Sequence, residues 1–132
     1  MKIKFLIFVL ALGLFSACEK DEPVYIPNSL ISELGDEKVW VVNEGGFQNG
    51  NASLGIITKD SEAIQNNVFD QINNKKLGDI FQSVAFYGES AFLVINNSGK
   101  IEKVNRFNLE AEGTIEGLTS PRYFLAVSEI KV

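Results

Sequence analysis

Gln82–Val104, QSVAFYGESAFLVINNSGKIEKV, is the stretch on which the fold turns. Val84 to Tyr87 is apolar and aromatic, Gly88-Glu89-Ser90 interrupts it, and Ala91 to Ile95 is a second apolar run. Asn96-Asn97-Ser98-Gly99 then turns the chain into an alternating segment around Ile101 and Val104. Short runs of strand-forming residues separated by glycine- and asparagine-rich turns describe antiparallel strands joined by tight connections. The segment reads as a β-meander.

Working outward, the segment repeats. Gln82-Ser83-Val84-Ala85-Phe86-Tyr87-Gly88-Glu89 falls on Arg122-Tyr123-Phe124-Leu125-Ala126-Val127-Ser128-Glu129, 40 residues on, with the apolar positions matching. Upstream, Trp40-Val41-Val42-Asn43 matches Leu93-Val94-Ile95-Asn96. Ser53-Leu54-Gly55-Ile56-Ile57 matches Lys100-Ile101-Glu102-Lys103-Val104 at an offset of 47, once a longer loop is allowed. A period of about 40–45 residues with about four strands per unit is the mark of a propeller blade; a generic antiparallel sheet is the reading that competes with it. The expectation is an all-β chain of antiparallel four-stranded meanders, a partial β-propeller of about two to two and a half blades, after a signal-peptide helix.

The first residues have another character. Met1-Lys2-Ile3-Lys4 is a positive start, Phe5 to Leu14 is uninterruptedly apolar, and Phe15-Ser16-Ala17-Cys18 closes the run. A membrane-spanning helix needs about 20 apolar residues, and the short run with these flanks is that of a secretory signal. Cys18 is the one cysteine of 132 residues, so no intramolecular disulfide is possible. It sits where a lipoprotein-type signal peptidase cuts, and the tetrapeptide resembles a lipobox with Phe15 in place of the commoner Leu. The expectation is a signal peptide at 1–17, with Cys18 the acylated first residue of the mature chain. Each buried methylene of its acyl chains adds about 0.8 kcal/mol to membrane attachment. An ordinary signal peptide with an incidental cysteine is the plainer alternative.

Glu19-Lys20-Asp21-Glu22 has nothing to bury and resembles the acidic export signals of some surface-exposed outer-membrane lipoproteins. The plainer reading is a solvated tether. With Pro23 to Ser29 it makes residues 18–38 a linker, which leaves 39–132 as the folded domain. Without residues 1–17 the chain keeps all 17 acids and 10 of its 12 bases, a net charge of about −7 that repels nucleic acid and anionic lipid.

Val39 to Asn43 reads as the first strand. Three readings compete for the loop Glu44-Gly45-Gly46-Phe47-Gln48-Asn49-Gly50-Asn51. A phosphate cradle lacks its Lys and following helix. A calcium loop lacks alternating carboxylates, since Glu44 is alone. A long hairpin connection suits the composition, and such loops are also where ligands bind. Leu54 to Thr58 and Glu62 to Asn66 read as strands, Val68 to Leu77 as a helical or looped excursion, and Gln82 to Ile115 as a complete unit ending in a fourth strand at Ala111 to Ile115. Arg122 to Val127 reads as the opening strand of the next unit. Phe86 and Phe92 are expected between layers.

Trp40-Val41-Val42-Asn43-Glu44-Gly45-Gly46-Phe47, Asn51-Ala52-Ser53-Leu54, Leu77-Gly78-Asp79, Gln82-Ser83, Asn96-Asn97-Ser98-Gly99-Lys100-Ile101 and Ser120-Pro121-Arg122-Tyr123 together resemble the N-terminal part of YncE-like seven-bladed β-propeller lipoproteins of bacterial surfaces. One member of that group captures cobalamin and hands it to an outer-membrane transporter. The resemblance therefore implies small-ligand capture at the outer membrane, for a transporter of the TonB-dependent kind. Against about seven blades in the family, this chain has one complete unit, three strands before it and the start of a third, so a fragment or a short form is expected.

Ligand-binding candidates come from the equivalent turns. Asn43 and Asn96 end matching strands, Glu44, Phe47 and Asn97 extend the same turns, and Arg122 matches Gln82 at the start of an innermost strand, where its donor fork would reach a central channel. The plainer alternative is that the asparagines cap turns and Arg122 pairs with a loop acid. With no histidine, a Ser-His-Asp triad and a His-containing zinc site are excluded. Glu44, Asp70 and Asp79 stand at unrelated spacings, so no catalysis, metal or cofactor is expected. A structural or adhesive surface protein contacting polymer or protein is the rival function.

Overall fold

The computed structural model describes residues 38–59 and 63–127. The expected signal peptide, Cys18 and the acidic tether up to residue 37 lie outside the described residues. Within them the chain is all-β apart from one six-residue helix. The order is β1 (Lys38–Asn43), β2 (Ser53–Thr58), α1 (Val68–Asn73), β3 (Phe81–Tyr87), β4 (Ser90–Ile95), β5 (Lys100–Asn105) and β6 (Ala111–Ile115).

The stretch Gln82 to Ile115 forms the expected four-stranded antiparallel meander, in the order β3-β4-β5-β6. Its register sets Leu93 against both Val84 and Glu102, and Ala91 against both Phe86 and Val104. Directly paired residues share a face, so one face of this sheet carries Ala91, Leu93 and Ile95 together with Val104. That face meets Leu54 and Ile56 of β2, Val68 and Phe69 of α1, and the linkers' Leu77 and Leu109, all essentially closed to solvent. Fully burying one such side chain is worth about 1.5–3 kcal/mol, so this seam between the sheets is the principal apolar stabilisation. β1 and β2 make the second, two-stranded antiparallel sheet. In α1, Val68 and Phe69 supply the buried side, and Asn67 and Asn74 close both ends in left-handed conformations, which asparagine tolerates better than most residues.

The repeat read from the sequence recurs in the backbone. Ala52 N–H donates to Gly78 O at 3.1 Å, and Leu118 N–H donates to Gly99 O at 2.9 Å. These two contacts join positions related by the same offsets of 47 and 40 residues. Ile80 (φ 60°) and Ser120 (φ 47°), again 40 apart, both have positive φ where the chain swings into an innermost segment. For a β-branched residue that conformation is strained. Trp40 of β1 meets Phe86 of β3 edge to face at 5.1 Å, and Phe92 of β4 stacks on Phe124 at 4.0 Å. Each sheet thus receives the first segment of the next unit, an arrangement consistent with part of a propeller-like fold.

Three expectations differ in detail. Of the strand foreseen at Glu62 to Asn66, the described part holds a single bridge, Gln65 to Ile56; the left-handed Asn67 diverts the chain before a ladder extends. Arg122 to Val127 lies on the meander by side-chain contact without strand pairing, because among the described residues no strand runs beside it. Phe92 is packed between layers as expected, stacked on Phe124, whereas Phe86 stays half exposed although its ring meets Trp40 edge to face.

Candidate functional site

At the end of β1 the chain enters the loop from Glu44 to Asn51, which folds on itself. Gly46 N–H donates to Asn51 Oδ1 at 2.8 Å and Asn49 N–H to Gly46 O at 3.0 Å. These bonds hold Gln48 at φ 63°, with its N–H donating to Asp79 Oδ2 at 2.8 Å. Asp79 is fixed from the other side by the β4–β5 turn. Asn97 Nδ2 donates to the same Oδ2, Asp79 N–H donates to Ser98 Oγ at 2.9 Å, and Asn97 N–H to Asp79 O at 3.2 Å. Three connections far apart in sequence therefore converge on one carboxylate.

That carboxylate is 8% exposed, and its second oxygen, Oδ1, is buried without a hydrogen-bond partner. A buried acceptor left unmet costs about 1–3 kcal/mol, so Oδ1 is the atom in this cluster most ready to take a donor. Phe47, next to Gln48 in the loop, leaves its ring 65% exposed. The combination is a hydrogen-bonded polar floor with an exposed apolar side chain beside it. Among the described residues no three His, Cys, Asp or Glu side chains converge as a metal centre requires.

The structure separates the sequence candidates. Asn97 belongs to the Asp79 cluster, Phe47 is the exposed neighbour of Gln48 in the loop, and the Glu44 carbonyl accepts from Phe81 N–H at 3.2 Å. Asn96 donates through Nδ2 to Pro121 O at 2.9 Å, and the neighbouring Arg122 carbonyl accepts from Ser83 Oγ at 2.7 Å, with Arg122 itself exposed. Asn96 therefore ties the incoming segment to the meander. Asn43 donates to Ser53 Oγ at 3.2 Å and closes the base of its own hairpin. Sequence reading named Asp79 as a loop acid and left out Gln48 and Ser98 as partners. No local spacing announces them, because each comes from a different connection.

The described residues form an all-β domain of one two-stranded and one four-stranded antiparallel sheet, with three connections gathered on Asp79. Residues 37–132 match the family model described as Domain of unknown function (DUF5074), and the chain belongs to that family. No curated protein matches the chain.

Proposed function

We propose that the chain is a surface lipoprotein of the bacterial outer membrane, anchored through acylated Cys18, whose YncE-like propeller domain captures a small molecule of cobalamin type for a TonB-dependent transporter. The observation that carries this reading is the convergence of the Glu44–Asn51 loop, the Asp79 connection and the Asn97 turn on a buried carboxylate with one unmet oxygen. The lipobox-like Phe15-Ser16-Ala17-Cys18 and the acidic residues after it support the location. Cobalamin titrated into the full chain, followed by its own visible absorbance, tests the capture. Phe47→Ala should weaken binding about tenfold and leave stability within about 0.5 kcal/mol, as befits an exposed side chain. Absence of cobalamin binding, or binding indifferent to Phe47, refutes this assignment.

A structural or adhesive role is the second reading, and a specific feature favours it. Tyr123, Leu125 and Val127 are 79%, 82% and 73% exposed in one alternating row, while Phe124 between them is held on the meander. An apolar row of this kind is suited to cover by a partner protein or by the next strand of the repeat. Neighbouring genes separate the two readings: a TonB-dependent transporter favours capture, and surface-polymer genes favour adhesion.

A further inference from the structure

The loop from Glu44 to Asn51 carries a reactive pair at its tip. Asn49 is the one asparagine of the chain that is followed by glycine. An asparagine side-chain carbonyl carbon stands within reach of the next residue's backbone nitrogen, and attack by that nitrogen closes a five-membered ring. Glycine, with no Cβ, leaves the approach open. Asn49 and Gly50 are both exposed. Gly50 has φ 60°, and beyond its chain neighbours no atom lies within 4 Å of the place a Cβ would take. Among the described residues neither the Asn49 side-chain amide nor the Gly50 N–H is hydrogen-bonded.

The comparable asparagines are held. Asn51 and Asn97 are the other described ones with a small residue after them, Ala52 and Ser98. Asn51 Oδ1 accepts from Gly46 N–H at 2.8 Å, and the nitrogen that would attack it, that of Ala52, donates its proton to Gly78 O at 3.1 Å. Asn97 donates to Asp79 through both its side chain and its backbone N–H. The same loop bonds make a change at the tip consequential. Gly46 N–H on Asn51 Oδ1 and Asn49 N–H on Gly46 O close the chain around Gln48, whose own N–H meets Asp79 Oδ2. An extra main-chain atom between Asn49 and Asn51 sets these partners out of step.

We propose that Asn49 is a self-modification site, converting to aspartate and isoaspartate and so loosening the loop from Asp79. Gly50 N gives its proton to hydroxide and attacks Asn49 Cγ; the N–Cγ bond forms, the Cγ–Nδ2 bond breaks, and ammonia leaves with a proton taken from water. Water then opens the succinimide at either carbonyl. Cleavage of the N–Cγ bond yields aspartate, and cleavage between Gly50 N and the Asn49 backbone carbonyl yields isoaspartate, whose main chain is longer by one atom. The site depends on the loop's own geometry and not on the capture reading, so either can fail alone. The full chain, kept in warm, mildly alkaline buffer with mild detergent, is sampled over days, digested with trypsin and read by tandem mass spectrometry. Asn49 should exchange ammonia for water about tenfold faster than Asn43, Asn51 or Asn97, and within about tenfold of its own rate in urea. Gly50→Ala should slow it about tenfold. Hydrogen exchange at the Gln48 amide should quicken once Asn49 is converted. Another described asparagine reacting first, a larger slowing of Asn49 by folding, or an unchanged rate in Gly50→Ala overturns the proposal. So does Gln48 exchange that is the same before and after conversion.

Discussion

Replacing Glu102 by Gln removes the one acidic side chain that, among the described residues, is fully closed to solvent. Its carboxylate accepts from Lys100 Nζ at 2.6 Å, Thr114 Oγ1 at 2.7 Å and Lys75 Nζ at 2.8 Å, which joins β5, β6 and the segment after α1. Breaking a buried ion pair by removing one partner costs about 3–5 kcal/mol when the remaining charge is stranded in the interior. Here the Lys75 and Lys100 side chains reach solvent at 40% and 17%, and the Gln carbonyl still accepts one bond. The expected loss is therefore about 2–3 kcal/mol, against a total of about 5–10 kcal/mol for a domain of this size. In urea, followed by Trp40 emission, the midpoint should fall by about 2 M at pH 7.

The pH dependence supplies a sign. Burial pushes the Glu102 carboxyl up, but the hydrogen bonds from Lys100, Lys75 and Thr114 outweigh it, and its pKa ends below the ordinary value. A carboxylate depressed in the folded state contributes stability above its unfolded pKa of about 4.3, and that contribution is lost as pH falls through the lower folded value. The gap between native and Glu102→Gln chains should thus hold from pH 7 to about 5 and close toward pH 3. A variant within about 0.5 kcal/mol of native at pH 7, or a gap that stays constant down to pH 3, refutes the reasoning.

Gly99→Ala should destabilise the chain by about 1–3 kcal/mol in the same urea assay, because Gly99 has φ 60° and a Cβ there would stand 2.6 Å from Leu118 O. Ile80→Asn should stabilise it by about 0.5–1 kcal/mol, as relief of a β-branched residue at φ 60°; a loss would show that the Ile80 side chain, rather than its strain, dominates. Cys18→Ser should abolish incorporation of labelled fatty acid and leave a larger, unprocessed precursor, and unchanged labelling would dismiss the anchor.

The meander from Gln82 to Ile115 was legible because alternating apolar residues and glycine-asparagine turns are local signals, and the β3 to β6 boundaries fall within a residue or two of that reading. The repeat left a fainter trace: Ala52–Gly78 and Gly99–Leu118 are backbone contacts at matching offsets, but the matched residues differ and donor and acceptor change places. What escaped was convergence. Asp79 owes its place to Gln48 and Asn97, 31 and 18 residues away, and Trp40 of β1 meets Phe86 of β3 only because of how the two sheets lie against each other. Glu102 was hidden for the same reason: an acid at a core position looks like an error of alternation until Lys75 arrives from the segment after α1.

The two sheets depend on each other for cover. A two-stranded ribbon is marginal alone in water, and β1–β2 buries Leu54 and Ile56 in the core it shares with the β3–β6 meander. The contacts that join them, Glu44 with Phe81 and Trp40 with Phe86, each close a long stretch of chain. The first sheet therefore holds its shape only with the second beside it, and a change that loosens the meander is felt at β1 and β2 as well.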